Sequence, residues 1–84
     1  MFNHFFYRHL AGDQARRQAM LRDQALDESL AVHVYGGGGG GYFVRLQPFG
    51  TSPPAHPGYC GVAPTMADAL STALAGARVG RRDP

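Results

Sequence analysis

The fold is decided by the stretch LAVHVYGGGGGGYFVRLQ, which covers residues 30–47. Two runs rich in β-branched and aromatic residues, 30–35 and 42–47, alternate in polarity on either side of six glycines. Alternation with a period of two is typical of a half-buried strand, and a glycine-rich connection between two such runs indicates an antiparallel β-hairpin. Pro48 ends the second strand, because proline has no N–H group to donate to a sheet.

Two registers are open for this hairpin. If Val34 lies across from Tyr42 or Val44, the loop has an odd number of residues and the polarity of the two faces separates. The other register sets His33 beside Val44 and mixes the faces, so we favour the first. The favoured register gives an apolar face and a mixed face, which are Leu30, Val32, Val34, Tyr42, Val44 and Leu46 against Ala31, His33, Tyr35, Phe43, Arg45 and Gln47.

Residues 3–28, before the hairpin, are predicted to be helical, with Asn3 as N-cap. Gly12 interrupts the pattern and leaves either one helix or two pieces, 3–11 and 13–28. The second half is moderately amphipathic. Its narrow apolar stripe consists of Ala15, Ala19 and Leu26, with Met20 beside it.

Residues 49–64 are predicted to be a loop with a short third strand near Tyr59–Ala63, because a two-stranded ribbon alone is marginally stable. Residues 65–78 are predicted to form a helix that Thr65 caps and Gly80 stops. Its apolar stripe repeats every three or four residues. The stripe consists of Met66, Ala69, Leu70, Ala73, Leu74 and Ala77.

A chain of 84 residues makes one domain, residues 1–84. We expect an α+β fold with an N-terminal helix, an antiparallel β-hairpin or three-stranded sheet, and a C-terminal helix. The helical N-terminal segment is 1–28, the hairpin and loop are 30–64, and the last helix is 65–79. The economical arrangement is an antiparallel sheet with the helices on one face.

Size and composition restrict the function. A domain this small has a thin core, so it is expected to act through a surface rather than an enclosed cavity. All eight basic residues are Arg and the net charge is +2. The guanidinium group of Arg binds carboxylates and phosphates equally well, so the charge does not indicate whether the partner is a protein or a nucleic acid. The absence of Lys is typical of a GC-rich bacterial or phage genome.

No sequence feature indicates a secreted or membrane protein. Cys60 is the single cysteine and cannot form an internal disulfide. No apolar run reaches the ~20 residues of a membrane helix, and the first residues lack the pattern of a signal peptide. We therefore expect a cytoplasmic protein with no membrane partner.

Catalytic and metal-binding motifs are absent from the sequence. The glycine run precedes a strand and has no Lys after it, so it is read as a flexible turn or a contact loop and not as a phosphate-binding loop. The histidines lack metal-ligand spacing. His56 and Cys60 are the one candidate pair for nucleophilic chemistry, and a half-buried structural thiol is the simpler interpretation. We expect no metal, no cofactor and no enzymatic activity.

The mixed face is the best candidate for a binding surface, because aromatic and Arg side chains on a sheet can anchor a protein or stack on bases. The alternative is that the N-terminal helix covers this face through Phe2, Phe6 and Leu10. Arg8, Arg16, Arg17 and Arg22 form either a basic stripe for phosphates or a solvated helix face. The candidate binding residues are His33, Tyr35, Phe43, Arg45, Arg16 and Arg17.

Three segments carry a resemblance to a known family: Gly41-Tyr42-Phe43-Val44, Pro57-Gly58-Tyr59-Cys60 and Thr65-Met66-Ala67-Asp68-Ala69-Leu70. With them, residues 30–78 resemble the HicB-type antitoxin domain. Residues 1–28 lie outside this resemblance, and we expect no DNA-binding module after Gly80. The resemblance implies a sheet-and-helix scaffold that binds a protein partner such as a toxin, and it implies no catalysis. The helix–strand–strand–strand–helix order is also loosely similar to double-stranded-RNA-binding domains.

These observations predict a non-catalytic regulator or inhibitor, bacterial or phage-encoded, that occludes the surface of a protein partner. The alternative is a small nucleic-acid-binding module that uses the aromatic and Arg face of its sheet. A homodimer is compatible with both, because small α+β units often pair their edge strands.

Overall fold

The chain folds as helix, three strands and helix in a computed structural model that describes the backbone of residues 2–37 and 39–82 and the side chains of residues 12–37 and 39–81. This α+β arrangement is the predicted one. The elements are α1 Phe2–Asp27, β1 Leu30–Gly36, β2 Tyr42–Pro48, β3 Tyr59–Ala63 and α2 Met66–Arg82.

Helix α1 is continuous, so the predicted alternative of two pieces is wrong. One glycine inside a helix costs roughly 1 kcal/mol relative to Ala, and the good helix formers after Gly12 outweigh that cost. The helix ends at Asp27, where Ser29 takes a left-handed φ of 61° and its N–H bonds to the Leu26 carbonyl at 3.0 Å. A left-handed residue after the last turn is a common helix terminator.

The hairpin has the favoured register, with Val34 opposite Val44. The two strands are connected between Gly36 and Tyr42, and the Gly37 N–H closes this connection with a bond of 3.1 Å to the Gly41 carbonyl. Glycine is required at Gly41, because φ is +88° and a Cβ there would lie 2.9 Å from the Ala63 carbonyl oxygen. The glycine run is therefore partly structural.

The third strand is present as predicted and pairs antiparallel with β2, giving the sheet order β1-β2-β3. Gly61, at its centre, lies directly under α2. A Cβ at this position would overlap the Ala69 carbonyl oxygen and would lie 2.7 Å from the Ala73 nitrogen. The missing side chain lets the helix and the strand approach closely.

Helix α2 begins as predicted, with the Thr65 hydroxyl accepting the Asp68 N–H at 3.2 Å. It does not stop at Gly80, contrary to the prediction, and continues to Arg82. The final turn is fastened to the end of α1, because Arg81 bonds to the Glu28 carbonyl at 2.7 Å and lies 3.4 Å from its carboxylate. These tertiary bonds outweigh the weak helix propensity of glycine.

Both helices pack on one face of the sheet, and the core lies between them and that face. Helix α2 covers β2 and β3, and α1 packs against α2 and β1. The core consists of Leu21, Ala25, Leu30, Val44, Leu46, Ala67, Ala69, Leu70, Ala73, Leu74 and Ala77.

The apolar stripe of α1 identified in the sequence is not the face that packs. Ala15, Ala19 and Leu26 are exposed, whereas Leu21 and Ala25 are buried. The packed face alternates these two apolar residues with polar ones that bond across to α2. Its cross-helix contacts are Arg17 to Asp68 at 2.6 Å, Gln24 to Arg78 at 3.4 Å, Glu28 to Arg78 at 3.2 Å and Glu28 to Arg81 at 3.4 Å.

Candidate functional site

The face of the sheet opposite the helices carries the candidate site. Cross-strand neighbours share a face, and the register pairs His33 with Arg45, Tyr35 with Phe43, Arg45 with Cys60, and Phe43 with Val62. We call this surface the open face. It consists of His33, Tyr35, Phe43, Arg45, Cys60 and Val62.

An aromatic and Arg cluster occupies the centre of the open face. The Tyr35 and Phe43 rings lie 5.7 Å apart between centroids at an interplanar angle of 54°. Arg45 places its Cζ 5.7 Å from the Tyr35 ring centroid and donates to the Tyr35 hydroxyl at 3.0 Å. The bond and the cation–π contact restrict the rotamers of both side chains.

The open face is strongly exposed for a surface that carries large apolar side chains. Val62 is 67% exposed, Tyr35 45% and Phe43 38%, and His33 and Cys60 are also exposed. Aromatic residues and Arg are the residue types enriched in the energetic centres of protein interfaces. The open face brings these residue types together on one surface.

One end of the open face is bordered by the loop between β2 and β3. Gln47 is buried there and donates to Thr51 Oγ1 at 2.9 Å and to the His56 carbonyl at 2.8 Å. Gly58 packs against it, since a Cβ at Gly58 would lie 2.9 Å from Gln47 Oε1. The loop therefore has a fixed position beside Arg45, and the open face has a defined rim.

Arg16 and Arg17, the two predicted site residues on α1, are not part of the open face. Arg16 pairs with Asp13 at 2.7 Å, and Arg17 reaches across to Asp68 of α2 at 2.6 Å. Its guanidinium, followed by the Thr65 hydroxyl, holds the pKa of the Asp68 carboxyl below its ordinary value. Both arginines are bound to acids of their own chain, on the side of the molecule that carries the helices.

The alternative prediction is that Phe2, Phe6 and Leu10 cover the mixed face. The side chains of these three residues lie outside the described part of the structure. The described half of α1 packs on the opposite face of the sheet, through Leu21 and Ala25. Within residues 12–37 and 39–81, no side chain of a helix covers the open face. The mixed face is exposed in this part of the molecule.

The candidate nucleophile pair does not come together. His56 Nδ1 accepts the Gly58 N–H at 2.9 Å, and its ring meets Tyr59 edge-on at 5.4 Å between centroids. Cys60 lies on the open face, and no hydrogen bond joins it to His56 in the described structure. Nor do the residues with described side chains include any group of three or more His, Cys, Asp or Glu arranged for a metal ion.

Two members of the open face, Cys60 and Val62, were missed as site residues. The signal was present in the sequence, because alternation along Tyr59–Ala63 sets these two on the face opposite Gly61. Finding them required the pairing of β3 with β2, which the sequence left unspecified.

Comparison with known proteins gave no match: no protein-family model, no curated protein and no solved structure is significantly similar to this chain. In the described part of the chain, neither helix has an apolar stretch of the length that crossing a bilayer requires.

Proposed function

We propose that this protein is a non-catalytic regulator or inhibitor, bacterial or phage-encoded, that binds another protein through its open face and occludes that protein's surface. The observation that carries the proposal is the preorganised cluster of Tyr35, Phe43 and Arg45 at the centre of the sheet, in which both rings are exposed and Arg45 is half-buried. Rigid aromatic anchors next to an Arg are the typical energetic centre of a protein interface.

The distribution of charge also supports a protein partner. Arg16 and Arg17 are paired with acids, and Arg45 of the open face bonds to a neutral hydroxyl beside the aromatic rings. A surface with one cation among aromatic and aliphatic groups suits an apolar patch that carries an acidic residue. The partner class is therefore a folded protein with an exposed hydrophobic site and a nearby carboxylate.

A nucleic-acid-binding module is the second candidate. The α-β-β-β-α order favours it by its similarity to double-stranded-RNA-binding domains, and the Tyr35 and Phe43 rings could stack on bases. Phosphate binding needs several unpaired cations, and two of the predicted ones are neutralised by ion pairs. For this reason the protein-binding proposal is preferred. The HicB-like interpretation of residues 30–78 stays a prediction.

The test is affinity capture of the tagged protein from the lysate of its own host, with and without nuclease, followed by mass spectrometry. A partner protein that survives nuclease treatment is the expected result. Capture that disappears with nuclease, together with a steep salt dependence of binding to purified DNA or RNA, would replace the proposal with the second candidate.

A further inference from the structure

Strand β1 forms one edge of the sheet, and no strand of the described structure pairs with its outer side. The bonds from Phe49 N–H to the Ser29 carbonyl at 2.9 Å and from Gly37 N–H to Gly41 at 3.1 Å lie at the two ends of the hairpin. Hydrogen-bonded pairs alternate in an antiparallel ladder, so these two bonds direct the odd-numbered residues of β1 towards β2. The N–H and C=O groups of Val32 and Val34 therefore point outwards, and no described residue bonds to them.

This edge has none of the features that normally prevent strand pairing. It is seven residues long, it contains no Lys, Arg, Asp, Glu or Pro, and its register with β2 is uninterrupted by a bulge. Natural proteins usually protect such an edge with a charge, a proline, a bulge or a covering element. An unprotected edge of this length is suited to adding another strand.

A groove runs along this edge between β1 and the outer side of α1. Its volume is about 380 Å³, and Val32 lies on the strand side. Ala19, Arg22, Asp23 and Leu26 line the helix side, at the spacing of a single helix face. Leu26 is 52% exposed although it is a large apolar side chain. The edge and the groove together form one surface that lacks a partner among the described residues.

We propose that a second copy of this chain occupies this surface, with β1 of each copy pairing antiparallel across a two-fold axis at His33 and α1 of each copy meeting the other over the groove. The two sheets then join into one sheet of six strands. This surface uses the backbone edge of β1 and the groove beside α1 rather than the side chains of the open face, so the inference does not rest on the proposed function.

The sequence of β1 is complementary to itself in this register. Full overlap of the strand with its copy is centred on His33, which faces His33 of the second copy. Each large residue then meets a small or equal one: Leu30 meets Gly36, Ala31 meets Tyr35, and Val32 meets Val34. The outward groups of Val32 and Val34 fall opposite each other, as a hydrogen-bonded pair requires.

The helix side of the groove has the same two-fold complementarity. Its four residues are symmetric about the midpoint between Arg22 and Asp23, so an antiparallel copy sets Arg22 against Asp23 and Ala19 against Leu26. Arg22 and Asp23 are exposed, and neither has an ion-pair partner within the described residues. The small Ala19 lets two helices approach closely, and the charges of the two copies complement each other.

Pairing would also enlarge the open face. Three strands of this length give a flat area on the order of 300 Å², whereas a standard protein interface buries about 800 Å² on each partner. Joining two sheets at β1 doubles the area and brings two copies of the aromatic and Arg cluster onto one surface.

Disulfide cross-linking tests the register directly. In a Cys60→Ser background, the His33→Cys variant sets two thiols opposite each other in a non-hydrogen-bonded pair, where Cβ atoms lie about 4.5–5.5 Å apart and little adjustment allows a disulfide. Tyr35→Cys is the matched control, because its copy lies four residues along the ladder, roughly 13 Å away. We expect mild oxidation to cross-link most of the His33→Cys protein and almost none of the Tyr35→Cys protein. Equal cross-linking, or none in either, would overturn the proposal.

A second measurement does not depend on the cysteine variants. Light scattering should give the wild-type protein twice the 9.0 kDa mass of one chain at high micromolar concentration. Ala19→Arg fills the groove with charge and should return the mass to that of one chain. Ala75→Arg, at an exposed position of α2, should leave the dimer intact. A monomeric wild-type protein, or a dimer that Ala19→Arg leaves unchanged, would refute the pairing of copies at β1.

Discussion

Replacement of Gly61 by Ala tests how closely α2 is packed on the sheet. The added Cβ would overlap the Ala69 carbonyl oxygen and would lie 2.7 Å from the Ala73 nitrogen. Both are backbone atoms of α2, so no side chain can rotate away and the helix itself must shift. This shift disturbs the core at Ala69 and Ala73, which are fully buried.

The expected loss of stability is large for the addition of one methyl group. Overpacking a core typically costs 1–3 kcal/mol of stability. Because the added methyl group of Gly61→Ala meets backbone atoms at two positions, we expect a loss at the upper end, about 3 kcal/mol or more. For a domain of this size the loss corresponds to a fall of roughly 12–24 °C in Tm. Because stability is modest in so small a domain, partial unfolding at 37 °C is also expected.

Gly76→Ala is the matched control. Gly76 lies in the same helix, and a Cβ there would meet nothing within 4 Å. Since Ala is the better helix former by about 1 kcal/mol, this variant should be more stable than the wild type by roughly 4–8 °C in Tm. Urea and thermal unfolding followed by circular dichroism measures both variants. A Gly61→Ala protein as stable as the wild type would refute the close packing of α2 on β3.

Three further predictions concern the helix cap, the ion pair and the open face. Thr65→Ala should lower the free energy of unfolding by about 1 kcal/mol, measured with urea, because it removes the cap of α2. NMR titration should find the pKa of Asp68 below its ordinary value of 3.8, rising towards that value in Arg17→Met. Because the folded-state pKa is lowered, the stabilisation by this pair is present at neutral pH and is lost as pH falls through the lowered pKa. Phe43→Ser should cost roughly 1 kcal/mol of stability or less, since it loses a cross-strand contact with Tyr35 and leaves the core intact.

The sheet could be predicted because the sequence pattern that specifies it lies within two short runs of neighbouring residues. Alternation along residues 30–35 and 42–47 specifies which side chains share a face, and only one register separates apolar from mixed residues. The four sheet residues His33, Tyr35, Phe43 and Arg45 were assigned to one face on that basis. The structure places them together, with the two rings and the guanidinium in contact.

The position of α1 could not be predicted, because its packed face is not its apolar face. A search for apolar periodicity finds Ala15, Ala19 and Leu26, whereas the helix packs through Leu21 and Ala25. Arg17, Gln24 and Glu28 complete that face by bonding to residues of α2 that lie 50 or more positions away in the chain. Hydrophobic periodicity does not detect an interface built from polar bonds.

The ends of helices and the extent of the site depended on tertiary contacts. Gly80 has the sequence character of a helix stop, yet the bonds of Arg81 to Glu28 carry α2 beyond it. Cys60 and Val62 join the open face through the pairing of β3 with β2, a contact between distant segments. Arg16 and Arg17 form ion pairs with acidic residues outside the open face, and the charge pattern of the sequence alone does not identify these partners.

Calorimetric titration of the purified partner with two matched variants is the most direct test of whether the open face binds a protein. Phe43→Ser removes an aromatic anchor from the open face, and Val79→Ser removes an exposed apolar side chain from α2. Loss of an interface anchor costs at least about 2 kcal/mol, so we predict that Phe43→Ser weakens Kd roughly 30-fold or more and that Val79→Ser leaves Kd unchanged. Equal affinity of Phe43→Ser and the wild type, or a selective loss in Val79→Ser, would contradict the assignment of the open face as the binding surface.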